Sequence, residues 1–436
     1  MAGQSLPEKQ QGFASRAFCL SWESIRRLAM KLKYKTPIVL GLALALAACG
    51  GGTPPPPSSI TVRVEDPQNV GYSGVYQVGS GAWQALNFSG GSATFALGSE
   101  SKYGVAVRCG TGSNTRVHLI QATNSELASP KLECSSSAPT NVSFTVNVSV
   151  DASLLASGDS VCVNGTGCLS ASGNVSIGLN LKPGTQDLLV TLVNSGSVKV
   201  AKVLKNVNVI SGGSTNANLT SSDQLAPVSL TPPTPPTGYT GFPGALVLYL
   251  SSSNTGGGGV NASPTSYRPV SGFGGGDRYA ALVQASATNA SLLSIQIFSS
   301  GSPNLSFPAP WSSGSLTVNQ TAHPNISGLS RNDSGLQGYR IYLQIAGQIY
   351  YTASLTKNWL GSATSYTLPD LSASSLLGYT PPAGSGSFEV SAILSSKNLF
   401  ALDPNNPSAF QAGDYYRVAT AGTNSYTVGG GSITLP

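Results

Sequence analysis

Charged side chains are scarce in this sequence of 436 residues, since Lys, Arg, Asp and Glu together make up 9 % of the chain. An ordinary soluble protein carries about 25 %. Sparse Lys and Glu argue against a helix-rich enzyme and for a polar, uncharged β-surface. No amphipathic helical pattern or heptad repeat follows Cys49. Only two histidines occur and no G-x-S-x-G motif is present, so we do not expect a hydrolase of that type.

The abundant residues indicate short strands joined by tight turns. The chain contains 51 Gly and 28 Pro, while its Leu, Val, Ile, Tyr and Phe are too numerous for a disordered protein. Segments such as "ITVRVED", in which Ile60, Val62 and Val64 share one face, alternate apolar and polar residues and are separated by Gly, Ser or Asn. This pattern predicts an all-β protein. The glycine run at 256–259 is predicted to lie in a loop.

The net charge of +6 belongs almost entirely to the N-terminal segment. Seven basic and two acidic residues precede Cys49, whereas 16 basic and 15 acidic residues occur from that position onward. The rest of the chain is therefore nearly neutral, and its charge predicts no nucleic-acid partner.

A short apolar segment ends at Cys49. Three lysines precede the apolar run Pro37–Ala48, whose 12 residues are too few to cross a bilayer and match the core of a signal peptide. The last four residues read Leu-Ala-Ala-Cys and resemble the lipobox of bacterial lipoproteins. The resemblance implies a diacylglycerol on the Cys49 thiol and cleavage before it. The alternative is a plain secretory signal with an incidental cysteine.

The residue after this cysteine bears on location. Gly50 is not the aspartate that favours inner-membrane retention in Gram-negative lipoproteins, so the resemblance implies an outer-membrane or cell-surface protein that is lipid-anchored and extracytoplasmic.

Composition divides the chain into seven segments. They are an extension at 1–29 that is disordered or upstream of the true start, a signal peptide at 30–48, a Gly/Pro tether at 49–59, β-sandwich domains at 60–136 and 137–228, a Pro/Thr linker at 229–238, and a C-terminal β-sandwich region of one or two units at 239–436. The proline runs favour extended spacers.

The C-terminal region contains three segments that resemble a fibronectin type III domain. "YRIYL", "SYTLPDL" and "FEVSAIL" match strands C, E and F of that family in order, and the similar part lies around 336–436. The family's short corner with its tyrosine is replaced here by "SASSLLGYTPPAGSGS", and Phe388 stands near the place of the tyrosine. The resemblance implies tandem immunoglobulin- or fibronectin III-like β-sandwiches.

Four further cysteines, Cys109, Cys134, Cys162 and Cys168, follow Cys49. An even number in an exported chain predicts disulfides, for which three pairings exist. Closeness in sequence favours Cys109–Cys134 and Cys162–Cys168, and Asn-Gly inside "CVNGTGC" suits a tight turn. Free thiols and a metal site are the alternatives, although a C-x₅-C spacing is poor for zinc.

The remaining residues suggest no chemistry, so we expect no enzyme, catalytic residue, metal or cofactor. The composition and leader favour a structural, adhesive or binding role at the cell envelope, with the membrane as one partner and an envelope polysaccharide or another surface protein as a second. One alternative is a carbohydrate-binding protein that uses Trp83, Trp311 or Trp359, although each tryptophan is more often a core residue. The other is a hydrolase of unrecognised type, which needs two neighbouring carboxylates.

Overall fold

The structure is a computed structural model that describes residues 56–111, 115–137, 140–346, 349–372, 383–400 and 410–436. These residues form thirty β-strands, two 3₁₀ turns (Ala152–Leu154 and Ser221–Asp223) and one α-helix, Lys357–Leu360. The all-β prediction is confirmed. Among the described residues, no helix is both long enough and apolar enough to cross a membrane.

The first seven strands form a group that we call the N-terminal sandwich. They are β1 (Ser59–Glu65), β2 (Tyr72–Val78), β3 (Gln84–Leu86), β4 (Ser92–Ala96), β5 (Lys102–Cys109), β6 (Arg116–Thr123) and β7 (Lys131–Glu133). The small sheet β4-β1-β7 faces strands β2, β5 and β6. The alternating apolar residues of β1 and β5 point into the core between them, which includes Ile60, Val62, Tyr103, Val105 and Val107.

The next seven strands form the middle sandwich. They are β8 (Val142–Val150), β9 (Asp159–Val163), β10 (Thr166–Ser170), β11 (Asn174–Leu181), β12 (Gly184–Asn194), β13 (Ser197–Val209) and β14 (Gly213–Leu219). Sheet β10-β9-β12-β13 packs on sheet β11-β8-β14. Leu188 and Val190 of β12 point into this core, while Leu189 points to the opposite side and packs on the following strands. Burial on both faces explains the continuous apolar run of β12.

Eight strands follow as the third unit. They are β15 (Val228–Ser229), β16 (Thr240–Gly241), β17 (Leu246–Leu250), β18 (Gly257–Gly259), β19 (Asn261–Ser263), β20 (Ser266–Tyr267), β21 (Arg278–Ala287) and β22 (Ala290–Phe298). Its core is rich in tyrosine, with Tyr249, Tyr267 and Tyr279 each at most 2 % exposed, and it includes Val203 from β13 of the middle sandwich.

The last eight strands form the C-terminal sandwich. They are β23 (Leu316–Asn319), β24 (Asn325–Ser327), β25 (Leu336–Ile345), β26 (Ile349–Thr356), β27 (Ser365–Thr367), β28 (Ser385–Ser395), β29 (Tyr415–Thr427) and β30 (Ser432–Leu435). Sheet β27-β24-β23-β30 packs on β26, β25, β28 and β29. Tyr339, Ile341, Leu343 and Ile345 of β25 are all buried in this core, as their shared face predicts.

The three segments that resemble fibronectin III strands are divided between the two sheets of the C-terminal sandwich. The segments matched to strands C and F lie in β25 and β28, which are hydrogen-bonded neighbours. The segment matched to strand E contributes β27 to the opposite sheet. Such a split between two sheets is the pattern of immunoglobulin-like sandwiches. Membership of the family stays a prediction, and residues 373–382 of the altered corner lie outside the described residues.

Thirteen of the described strands join into one long sheet that crosses the segment boundaries drawn from the sequence. Its order is β18-β17-β21-β22-β29-β28-β25-β26-β6-β5-β2-β3, with β16 beside β21. Strands β26 and β6 pair in parallel, so that Ala353 lies beside Leu119. Successive residues of β5 enter different cores, Val105 that of the N-terminal sandwich and Ala106 that of the C-terminal sandwich. The two sandwiches therefore cover opposite faces of the same sheet.

Glu126 fastens the junction at which β6 meets β26. Its carboxylate accepts hydrogen bonds from the Thr356 hydroxyl and from the Asn358 backbone N–H, the latter at 2.9 Å. Its backbone carbonyl accepts a further bond from Asn398 Nδ2 at 2.7 Å. One residue of the N-terminal sandwich thus holds three positions of the C-terminal sandwich.

The loop prediction for the glycine run at 256–259 is wrong for its last three residues. Gly257–Gly259 form β18 and pair with β17. A Cβ atom on Gly258 would lie 3.1 Å from the backbone nitrogen of Gly165. Glycine therefore lets this edge strand approach the hairpin tip of the middle sandwich, a constraint that local sequence does not reveal.

Candidate functional site

The predicted site residues are the five cysteines. Cys49 lies outside the described residues. The other four form two disulfides, Cys109–Cys134 with Cα atoms 5.1 Å apart and Cys162–Cys168 with Cα atoms 4.1 Å apart. These are the two pairs that closeness in sequence favours.

The two disulfides fasten different kinds of contact. Cys109 ends β5 in the long sheet and Cys134 directly follows β7 in the small sheet, so this bond joins the two layers of the N-terminal sandwich. Cys162 and Cys168 lie opposite each other on β9 and β10. The turn between these strands places Asn164 at φ 51° and Gly165 at φ 65°, the left-handed conformations that a two-residue hairpin turn needs.

The two histidines lie in separate places. His118 is half-buried on β6, opposite Thr352 of β26. His323 lies before β24, with its Nε2 atom 3.4 Å from Oδ1 of Asp370. The described residues contain no group of three or more His, Cys, Asp or Glu side chains that could hold a metal ion.

Two buried carboxylates meet at Lys205, between the middle sandwich and the third unit. The Nζ atom of Lys205 lies 2.6 Å from Asp277 Oδ1 and 3.3 Å from Asp187 Oδ2. The Tyr249 hydroxyl donates to Asp277 at 2.8 Å, and the Ser253 hydroxyl donates to Asp187 at 2.7 Å. This cluster ties the two units together through charge-assisted hydrogen bonds.

The ionisation of this pair fits a structural role better than acid–base catalysis. Burial alone would raise the pKa of both Asp187 and Asp277, but their hydrogen bonds and the positive charge of Lys205 outweigh burial and lower the pKa of each. A general acid in glycoside hydrolysis needs a raised pKa. Neither carboxyl has one.

The tryptophans pack on the core of the C-terminal sandwich. Trp311 is 6 % exposed, and its Nε1–H donates to the carbonyl of Ala419 at 3.0 Å. Trp83 and Trp359 are half-buried against the same core, and the Trp359 ring meets Tyr366 edge-on at 5.8 Å. Their arrangement fits the expectation of core residues and does not form a flat sugar-stacking platform.

A cleft of about 230 Å³ lies where two loops of the C-terminal sandwich meet, and it is the candidate functional site. The loop at 309–315 precedes β23, and the loop at 328–333 precedes β25. Gly328 permits their contact, because its φ is 97° and a Cβ atom there would overlap the Ser315 carbonyl oxygen at 1.8 Å. We call this feature the Arg331 cleft.

Arg331 is held rigidly in this cleft. Its Nε and Nη2 atoms donate to the two carboxylate oxygens of Asp333 at 2.7 and 2.9 Å, a paired geometry that fixes the guanidinium plane. Nη2 also donates to the Ala309 carbonyl at 2.7 Å. The guanidinium carbon lies 4.9 Å from the centre of the Trp311 ring, within cation–π range. The Arg331 side chain is only 7 % exposed.

Two polar atoms of the cleft residues have no hydrogen-bond partner among the described residues. They are Nη1 of Arg331 and Oγ of Ser315, and both are buried. Buried polar groups in native proteins are nearly always paired. Arg331 therefore retains unused donors although its other two nitrogens are fully engaged.

Sequence reasoning did not find the Arg331 cleft. The segment "SGLSRNDSG" that contains Arg331 has the composition of a turn, and no spacing relates it to Ser315. An arginine followed two residues later by an aspartate is the sole local signal, and that signal is common in solvated loops. No protein-family model matches this chain, and no curated protein matches it.

Proposed function

We propose that the protein is a lipid-anchored cell-envelope or surface protein whose β-sandwich region has a structural, adhesive or binding role. The observation that carries the proposal is the segment that ends at Cys49, with its lysines, its apolar run of 12 residues and its Leu-Ala-Ala-Cys ending. It combines the parts of an export signal with a cysteine where a lipoprotein needs one.

Anchoring by this cysteine has a simple physical basis. Each buried CH₂ group of an acyl chain contributes about 0.8 kcal/mol, so one chain binds marginally whereas two or three hold a protein stably. Diacylglycerol on the Cys49 thiol supplies two chains. The Gly and Pro residues that follow would separate the first strand from the lipid surface.

The two disulfides support an extracytoplasmic location, because disulfides persist in oxidising compartments and are rare in the cytosol. A surface with few charges and many Ser, Thr and Asn residues suits contact with hydroxyl-rich envelope material. An outer-membrane or cell-surface position is the location that we propose.

The test is a Cys49→Ser variant expressed in a bacterium that processes lipoproteins. We expect the wild type in the membrane fraction and the variant in the soluble extracytoplasmic fraction. Cys19→Ser, which changes a cysteine upstream of Met30, is the matched control and should remain in the membrane. Mass spectrometry of the membrane-bound form should find a lipid-modified N-terminus at Cys49. A Cys49→Ser protein that stays in the membrane fraction would refute the anchor.

A second candidate function is carbohydrate binding at the envelope surface. The observation in its favour is the Arg331 cleft, whose lining residues include Arg331, Asp333, Trp311 and several serines. Co-sedimentation of the protein with insoluble envelope polysaccharide would support this function. Equal recovery in the supernatant with and without the polysaccharide would count against it.

A further inference from the structure

The two disulfides differ in how far solvent reaches them. Cys109 and Cys134 are 2 % and 8 % exposed and belong to the core of the N-terminal sandwich. Cys162 is also buried, at 6 %, but its partner Cys168 is exposed, as are all five residues of β10. Exposed disulfides are the labile ones, because a thiolate must reach one of the two sulfurs to break the bond. Of the two disulfides, Cys162–Cys168 is therefore the one that a dissolved thiol can reach in the folded protein.

The sheet leaves this disulfide open from one side. A thiolate attacks one sulfur from the side opposite the sulfur that leaves. Cys162 and Cys168 lie opposite each other on β9 and β10, so their bond bridges these two strands. Cys162 has β12 on its other side, where its neighbour Thr191 is 3 % exposed. Cys168 faces outward on β10, which is the end strand of its sheet in the described part of the chain, so the accessible sulfur is that of Cys168.

Opening this bond would release β10 and leave the rest of the sheet in place. Strand β10 pairs with β9 and buries none of its five residues. Strand β9 keeps its five pairings with β12, which run from Asp159 to Val163. The turn residue Asn164 stays attached to β12, because its Oδ1 atom accepts a hydrogen bond from the Leu189 backbone N–H at 2.9 Å. The opening is therefore local and does not require the middle sandwich to unfold.

We propose that Cys162–Cys168 is a thiol-exchange site, at which a low-molecular-weight thiol attacks the folded protein and becomes attached to Cys168. The attacking thiolate forms a new S–S bond with Sγ of Cys168. The electron pair of the old bond leaves on Sγ of Cys162, which then takes up a proton. The product is a mixed disulfide at Cys168 and a free thiol at Cys162. Attack by the Cys162 thiolate on the mixed disulfide expels the added thiol and restores the original bond.

The experiment treats the detergent-purified full chain with an excess of reduced glutathione under native conditions, after any free thiols have been blocked with iodoacetamide. Samples are quenched at low pH, the new thiols are labelled with N-ethylmaleimide in urea, and peptide mass spectrometry locates each group. We expect glutathione on Cys168 and N-ethylmaleimide on Cys162. Cys109 and Cys134 should react at least about 100-fold more slowly, because the N-terminal sandwich must open first.

Two controls separate exposure from other causes. In denaturing urea the two disulfides should react at similar rates, since neither is then buried. Cys168→Ser removes the site and should gain no glutathione. Hydrogen exchange of the glutathione-modified protein should accelerate in β10 and stay slow in β12, as a local opening requires.

Four outcomes would overturn the proposal. They are equal rates for the two disulfides under native conditions, no reaction of Cys162–Cys168 without urea, attachment of glutathione to Cys162 in place of Cys168, and acceleration of hydrogen exchange throughout the middle sandwich. The result is independent of the anchor at Cys49, because the exchange takes place on the folded sandwich and is measured without a membrane.

Discussion

Asp223 should make the joint between the middle sandwich and the third unit sensitive to acid. Its carboxylate, only 5 % exposed, accepts hydrogen bonds from the Ser271 hydroxyl at 2.6 Å, from Lys202 Nζ at 3.0 Å and from the backbone N–H of Thr220 at 3.0 Å. Lys202 belongs to β13 of the middle sandwich, whereas Ser271 belongs to the third unit. Asp223→Asn removes the charge that holds this joint and keeps nearly the same shape.

The magnitude follows from the pKa of this carboxyl. Burial acts to raise it, but the hydrogen bonds from Ser271, Thr220 and Lys202 outweigh burial and lower the pKa from 3.8 to about 2. A difference of about 1.8 in pKa corresponds to at most about 2.4 kcal/mol of stability. Because the folded-state pKa is the lower one, this stability is present above pH 3.8 and is lost as the pH falls towards about 2.

The assay is urea denaturation of the purified protein at a series of pH values between 2 and 6. The wild type should lose up to about 2 kcal/mol more than Asp223→Asn across this range, so the two stabilities should converge at low pH. Asp151→Asn is the matched control, because the exposed Asp151 carboxylate caps its turn by accepting a hydrogen bond from the Ser153 backbone N–H. Parallel curves for the wild type and Asp223→Asn would refute the reasoning.

Two further predictions concern the disulfides and the sandwich junction. Loop-closure entropy makes loss of Cys109–Cys134, at a sequence separation of 25, destabilising by about 3.5 kcal/mol, and loss of Cys162–Cys168, at a separation of 6, by about 2 kcal/mol. Urea denaturation of the two double-alanine variants should reproduce this order, and equal losses would contradict it. Glu126→Ala should destabilise the β6–β26 junction by about 1–3 kcal/mol, because the hydroxyl of the buried Thr356 loses its acceptor. Hydrogen exchange should then accelerate in both strands, and unchanged protection there would count against this role.

Individual strands could be predicted from the sequence because the alternation of apolar and polar residues is visible within a few consecutive positions. Ile60, Val62 and Val64 predict β1, and all three are buried. Strand β14 lacks such a pattern, since "GSTNANL" buries only Ala217 and Leu219 and its other positions are glycine or polar residues. It becomes a strand through seven parallel pairings with β8, and these pairings are set by the rest of the middle sandwich.

The long sheet was not predictable from the same patterns. A strand with alternating apolar residues can lie at an edge or within a sheet, and the residues of β6 do not indicate that β26 is their partner. The two strands are more than 200 residues apart in sequence and pair in parallel, beginning with Tyr350 beside Arg116. The segment boundaries were drawn at proline-rich stretches, where the composition changes. Strand pairing does not follow these boundaries, because strands on either side of such a stretch can pair with each other.

Among the candidate site residues, the disulfides could be predicted from the sequence and the Arg331 cleft could not. The disulfide pairs followed from spacing, because Cys162 and Cys168 flank an Asn-Gly turn that folds them together. The Arg331 cleft depends on the meeting of two loops and on the glycine at 328 that lets them touch. The cleft is therefore formed by tertiary contacts that the local sequence does not reveal.

The β6–β26 pairing changes what an anchor at Cys49 would mean for the Arg331 cleft. If the domains were joined end to end without contacting one another, a site near residue 331 would lie several domains away from the lipid. Neighbouring strands in a sheet lie about 4.8 Å apart, so pairing of Tyr351 with Val117 brings the C-terminal sandwich beside the sandwich that follows the predicted tether. Sequence distance then gives no measure of height above the membrane. A glycan bound at Arg331 would be held at a height set by the tether at 49–59 and by the width of one continuous sheet.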